Sequence, residues 1–255
     1  MRGQPTETDW FQLAIDEIFR TYAHRVIINR KSLKKYGRNE SVGTTEEDIT
    51  TLGGTENYLT SNGIDSISSS DNSDTIEVSY EGVTISGSVL TFVSDTVTLS
   101  GQTRVALPTP LRSCTRMRGS PAGSVYVYEN SSITAGVPDN LALAHNVLVP
   151  GDNTSLRAAT SIQSTNYFLM TNYWSSMGKA GGSAAADIRL KTRVLGENFH
   201  TDEVRSISLS KDIKHHFRPF FIIPPNSDID ITGEASTGTL DISAGFEGFF
   251  ADIIS

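Results

Sequence analysis

From Ile76 to Ile253 one pattern recurs: short segments in which apolar and polar residues alternate, each ended by a turn residue. Ile76, Val78 and Tyr80 alternate with Glu77 and Ser79. Residues 89–99 alternate around Val93, Val97 and Leu99, and 125–128 repeat the pattern. Similar segments follow at 142–149, 167–176, 185–194, 204–209, 217–223, 229–231 and 240–253. Gly101, Gly119, Gly123, Gly151 and Gly233, with Pro150 and Pro224-Pro225, punctuate them. Successive side chains of a strand point to opposite faces, so a period of two marks a half-buried strand. About ten strands at this spacing predict an all-β fold, a β-sandwich or jelly-roll-like body. Strand–helix–strand units are missing, which argues against a parallel α/β enzyme fold.

Composition narrows the reading further. Ser and Thr number 58 of 255 residues, and these types suit strands and turns. Hydrophobic residues reach 37%, enough for a core. The single cysteine, Cys114, excludes an internal disulfide framework, so packing must supply stability. The net charge of -8 disfavours nucleic acid as a partner of the whole chain. No run of about 20 apolar residues is present, so no membrane helix is expected. The first residues carry Glu7, Asp9, Asp16 and Glu17 and no signal-peptide core, which predicts synthesis in a cytosol without classical export.

One helix is predicted near the N-terminus, capped by Thr8 or Asp9. Phe11, Ile15, Ile18 and Tyr22 form its apolar face. A lone amphipathic helix must dock on the β body or on another chain. Residues 24–38 then hold Arg25, Arg30, Lys31, Lys34, Lys35 and Arg38, whereas Asn39–Thr103 contain no Lys or Arg and many acids. This predicts a short helix and an extended basic anchoring arm within 1–50. A Gly/Ser/Asp-rich connector follows at 51–74, then a β body at 75–255, with a subdivision into 75–115 and 116–255 also considered. Residues 24–39 are expected at an inter-subunit contact. Tyr36 and Leu33 would be its apolar anchors, and Gly37 would allow a tight turn before Arg38 and Asn39.

Catalytic patterns are absent. The chain has no Gly-x-Ser-x-Gly elbow, phosphate loop, dinucleotide fingerprint or His-Glu-x-x-His. His215 and His216 point to opposite strand faces and so do not chelate one ion together. His200 with Asp202 would need strand pairing to meet them. Asp228 and Asp230 share a strand face, as a hydrolase would need, but solvated carboxylates opposite core-facing Ile229 and Ile231 are the simpler reading. Cys114 lies between Arg112 and Arg116 with no base nearby in sequence. Tyr167, Tyr173 and Trp174, with Phe168, form an aromatic segment that reads either as core or as a carbohydrate-binding surface. No cofactor and no metal are expected.

Four segments together carry a resemblance: KKYGRNESVGTTEED leading to Gly53-Gly54, TVTLSGQTRVALPTPLRSCTRMR, SPAGSVYVYEN, and NTSLRAATSIQSTNYFLMTNYWSSMGKAGGSAAADIRLKTR. Their order is similar to a family of virion structural proteins of tailed bacteriophages, represented among marine and cyanobacterial podophages. Tyr36-Gly37-Arg38-Asn39, Leu99-Ser100-Gly101-Gln102-Thr103 and Asp187-Ile188-Arg189-Leu190 occupy its motif positions. Thr50 stands where the family carries a tryptophan after Asp-Ile. The resemblance implies a non-enzymatic virion protein that decorates or reinforces the head as a symmetric homo-oligomer, in contact with other virion proteins. A neck, collar or tail component such as a fibre adaptor is the alternative. A carbohydrate-binding host-attachment module and a hydrolase are the readings from other classes.

Overall fold

The structure is a computed structural model that describes residues 6–178, 184–208 and 212–254. Helix α1 (Glu7–Tyr22) leads into β1 (Val26–Val42) and β2 (Glu47–Asp48). The middle of the chain holds β3 (Ile64–Ser69), β4 (Glu77–Ser86), β5 (Val89–Thr98), β6 (Val105–Leu111), β7 (Ser113–Arg118) and β8 (Val125–Glu129). The small hairpin β9 (Ile133–Thr134) and β10 (Val137–Pro138) precedes β11 (Ala144–Leu148). The last third holds β12 (Thr160–Ile162), β13 (Asn166–Met177), β14 (Ala185–Val194), β15 (His200–Ser208), β16 (Asp212–Ile223), β17 (Ser227–Ala235) and β18 (Leu240–Ile253). The molecule is thus all-β with one short N-terminal helix. Among the described residues no helix is long and apolar enough to cross a membrane.

These strands build two sandwiches. The outer one pairs a sheet ordered β1-β18-β13-β16 with a sheet ordered β12-β17-β14-β15, to which β2 adds along β17. Phe168, Tyr173, Phe246, Ile188, Ile229, Ile231 and Ile242 fill the space between them. The second sandwich packs β11-β8-β3-β6 against β5-β4-β7 over Ile64, Ile67, Val78, Tyr80, Leu111, Cys114 and Val127. It is an insertion in the outer one. The chain leaves after Thr50 and returns at Arg157, and these residues form a bridge. Thr51 N donates to Leu156 O at 3.2 Å and Ala158 N to Ile49 O at 3.0 Å.

This arrangement differs from the division at 50 and 74 read from composition. The basic segment 26–42 is no separate arm. As β1 it pairs with β18 from Val26↔Ile253 to Val42↔Leu240, at the edge of an outer sheet. Its alternation was hidden because polar or small residues, Lys35, Gly37 and Asn39, take inward positions while Ile27 and Tyr36 face outward. The connector 51–74 contains β3, an interior strand of the inserted sandwich. Its buried serines are satisfied: Ser68 Oγ donates to Gly136 O at 2.8 Å and shares a hydroxyl–hydroxyl hydrogen bond with Tyr128 Oη at 3.1 Å, and Ser69 Oγ donates to Asp74. A strand interior can be this polar when each hydroxyl has a partner.

Helix α1 packs on the outer face of the first sheet. Thr6, not Thr8 or Asp9, is its cap. The Thr6 hydroxyl and Asp9 carboxylate form a reciprocal capping box, with Asp9 at the third helical position. Ala14 and Ile18 are buried against Tyr167, Leu169 and Ala251. Phe11 lies 5.1 Å from Phe220 and 5.3 Å from Phe249, ring centre to ring centre. The helix therefore docks on its own body, and Tyr22 remains partly exposed.

Candidate functional site

Buried charge collects where the two sandwiches meet. Strand β17 is covered on both faces: Ile229 and Ile231 enter the outer core, while Asp228, Asp230 and Thr232 face the other way and are also buried. Arg112, between β6 and β7, reaches across to Asp228. Its Nη1 and Nη2 donate to Oδ1 at 2.8 Å and Oδ2 at 2.7 Å. Ser161 Oγ donates to Oδ1 at 2.6 Å and Arg193 Nε to Oδ2 at 2.8 Å. Both members of the Arg112–Asp228 pair are at most 1% exposed. Burial pushes the Asp228 carboxyl up, but the Arg112 hydrogen bonds and charge, with Ser161 and Arg193, outweigh it and hold it below the usual range. The Arg193 guanidinium also lies 4.7 Å from the Tyr58 ring centre and 4.5 Å from that of Phe199. That contact fastens the segment leading to β3 onto the outer sandwich.

A second polar cluster surrounds Arg157. Its Nη1 donates to Cys114 O at 2.7 Å and His145 O at 3.0 Å, and its Nη2 pairs with Glu56. Asp48 and Asp230 lie buried in the same cluster, close enough to act on each other's charge. Burial, then the charge of Glu56, raises the Asp48 carboxyl; burial, then the charge of Asp48, raises that of Asp230 well above its ordinary range. Two neighbouring buried carboxyls each disfavour the other's charge, which favours a proton on the pair. His145 is buried beside the cluster, 3.1 Å from Glu129 and 3.8 Å from Glu56. A hollow of about 280 Å³ lies against Asp48, Glu56 and His145.

Alongside these clusters a cleft of about 630 Å³ opens between the sandwiches. Leu33 and Lys35 of β1, Phe250 and Asp252 of β18, and Glu81, Thr115, Arg116 and Arg118 of the inserted sandwich line it. Asp252 accepts from Asn29 Nδ2 at 3.1 Å and from Asn166 Nδ2.

The predicted interaction residues scatter along β1. Arg25 and Lys34 are exposed. Arg30 and Lys31 lie in the strand, but their side chains fall outside the described residues. Lys35 points inward and is 3% exposed. Tyr36 stacks on Trp174 with ring centres 5.4 Å apart. A Cβ on Gly37 would sit 2.0 Å from Ile49 O, so close approach of the chain, not a turn, requires glycine there. Arg38 holds Asp241 through Nε at 3.0 Å and Nη2 at 2.7 Å. Asn39 Nδ2 donates to Glu47 and to Asp48 O, both at 3.2 Å.

The aromatic surface is corrected. Tyr167 and Tyr173 are fully buried, on opposite faces of β13, and only Trp174 with Tyr36 reaches the surface. A bulge between Met170 and Asn172 shifts the alternation, so Phe168, Met170 and Tyr173 all enter the outer core. Asp228 and Asp230 are likewise buried where solvated carboxylates were expected. The cause is the inserted sandwich, which covers the face that a free sheet would show to water. Cys114 is buried, and burial pushes its thiol up to about 11, so it is no activated nucleophile. His215 lies 2.9 Å from Arg205 and stacks edge-on against Phe217. Among the described residues no group of three His, Cys, Asp or Glu side chains is placed to hold a metal ion.

Sequence reading missed Arg112, Arg157, Glu56 and Tyr58. The available signal was charge standing alone in strand-forming stretches, as in LRSCTRMR. No protein-family model matches the chain, and comparison with curated proteins finds no match either.

Proposed function

We propose that the protein is a non-enzymatic structural subunit of a tailed-phage virion, decorating or reinforcing the head as a symmetric oligomer in contact with other virion proteins. One observation carries this reading: the segments on which the family resemblance rests run along the junction of the two sandwiches. They supply Lys35, Arg112 and Arg157, whose side chains donate across the junction to Thr115 O, Asp228 and Cys114 O. Segments that resemble a structural family would thus serve the rigidity of a building block. Charges bound to one another through several hydrogen bonds, as Arg112 is to Asp228, resist relative motion of the bodies that carry them. The exposed Arg25 and Lys34 remain available to a neighbouring subunit, as an anchoring role requires.

Mass spectrometry of particles purified from the phage that encodes the chain tests the proposal. Presence in hundreds of copies supports the head, and a dozen or fewer supports a neck, collar or tail ring. Presence only in infected cytosol, with none in particles, would refute the reading. The carbohydrate-binding alternative keeps only the stacked Tyr36–Trp174 pair. The hydrolase alternative keeps no open carboxylate at Asp228, which already accepts three donors' hydrogen bonds.

A further inference from the structure

Lys35 ties β1 to the inserted sandwich, but rigidity does not explain why that tie is a buried lysine. A buried lysine is costly unless an acid pairs with it, and among the described residues no carboxylate lies within ion-pair distance of its amine. Nζ donates to the backbone oxygen of Thr115. The charges that act on it most strongly are cationic, those of Arg116 and Arg157. Burial first, then these two guanidiniums, hold the amine well below the usual lysine range. Both effects favour the neutral amine, with a free lone pair on nitrogen, more strongly than at an exposed lysine.

Lys35 also lines the cleft of about 630 Å³, which is a volume typical of small-molecule sites. Thr115, Thr160 and Phe250 form part of the same wall. Arg116 and Arg118 stand there too and share a single carboxylate, Glu81, at 3.4 Å and 3.5 Å. Two guanidiniums on one acid leave donors for a second acid group.

We propose that this cleft binds a small aldehyde or keto compound bearing an acid group, and that the Lys35 amine condenses with its carbonyl. Nζ adds to the carbonyl carbon as the C=O π bond opens, and a proton moves from nitrogen to oxygen. The carbinolamine then loses water, the C=N bond forms, and the oxygen leaves with two protons that came from the amine. No electron is gained or lost. Arg116 and Arg118 hold the acid group while Thr115 O orients the amine. The inference is independent of the virion reading, since a structural subunit and a protein of any other class can equally carry such a site.

The test uses the intact protein with glyoxylate and cyanoborohydride near neutral pH. The hydride donor reduces the C=N bond and leaves a carboxymethyl group that fragmentation mass spectrometry assigns to one lysine. The neighbouring exposed Lys34 is the internal reference, so no variant has to fold. Lys35 is expected to label about tenfold faster than Lys34 or more, because its neutral fraction is larger. The preference should vanish in urea and should shrink as the pH approaches that of free lysine. It should be smaller with propanal, which lacks the acid group. Labelling of Lys35 no faster than Lys34 in neutral buffer overturns the proposal. A preference as large with propanal overturns the acid-group requirement.

Discussion

Taking the Arg112 guanidinium out of water costs several kcal/mol, and the two-pronged contact with Asp228 offsets that cost only while both partners are present. Arg112→Leu leaves Asp228 buried with Ser161 and Arg193 alone. It is expected to lower stability by about 3–5 kcal/mol in urea unfolding. Arg112→Leu with Asp228→Leu should lose less than the single variant, because no buried charge is then left unmatched. The two aspartates of β17 respond to pH in opposite senses. The Asp228 carboxyl is depressed, so its contribution is present above the unfolded value of about 3.9 and fades as pH falls. That of Asp230 is raised, so its contribution is full below about 3.9 and is lost as pH rises through the folded value. Asp230→Asn removes the need for that proton. Thermal melts of Asp230→Asn should show a gain over the parent that grows from acidic to alkaline buffer; a gain independent of pH would contradict this account.

At the scale of the element, β1 depends on closeness as much as on pairing. An added methyl at Gly37 would meet Ile49 O at 2.0 Å and Ala158 N at 2.3 Å, both backbone atoms that cannot swing aside. Gly37→Ala is therefore expected to cost about 1–3 kcal/mol or more, read as a lower urea midpoint. Strands whose outward residues are Ser, Thr and Glu, such as β4, were legible from alternation alone. β1 was not, because basic residues on a sheet edge look the same as a solvated arm. β3 was not, because buried serines are distinguished from loop serines only by partners distant in sequence, such as Tyr128 and Gly136. The helix was legible from its apolar stripe, and only its cap was displaced, from Thr8 or Asp9 to Thr6. In β13 the aromatic segment was correctly seen as a strand, but a one-residue bulge decided which rings face the outer core, and single-sequence alternation does not announce a bulge. The junction was illegible for a related reason: a face of β17 is polar because another body covers it, not because water does.

For the whole molecule, the inserted sandwich owns its core and has both its ends at one place. A fragment of residues 58–150 is expected to give a β-type circular dichroism spectrum and a cooperative melt by itself. Deletion of residues 1–42 should abolish the outer sandwich, because β18 then loses one of its two partners along 240–253 and the sheet loses the helix that covers it. Retention of the full β spectrum by that deletion would show that β1 is dispensable.

The bridge between Thr50 and Arg157 also bears on the order in which a ribosome releases the chain. The inserted sandwich is complete once its last strand, β11, has emerged, whereas β1 must wait for β18 at the far end of the sequence. If the early body folds first, the stretch still separating β1 from its partner is roughly halved, because residues 51–156 are collapsed to a single crossing point. Closing a loop half as long spares only about 0.6 kcal/mol of chain entropy. The larger gain is one of timing. The early body emerges carrying Arg112 and Arg157 on its surface, and these become a charged template on which the late acids of β17 settle.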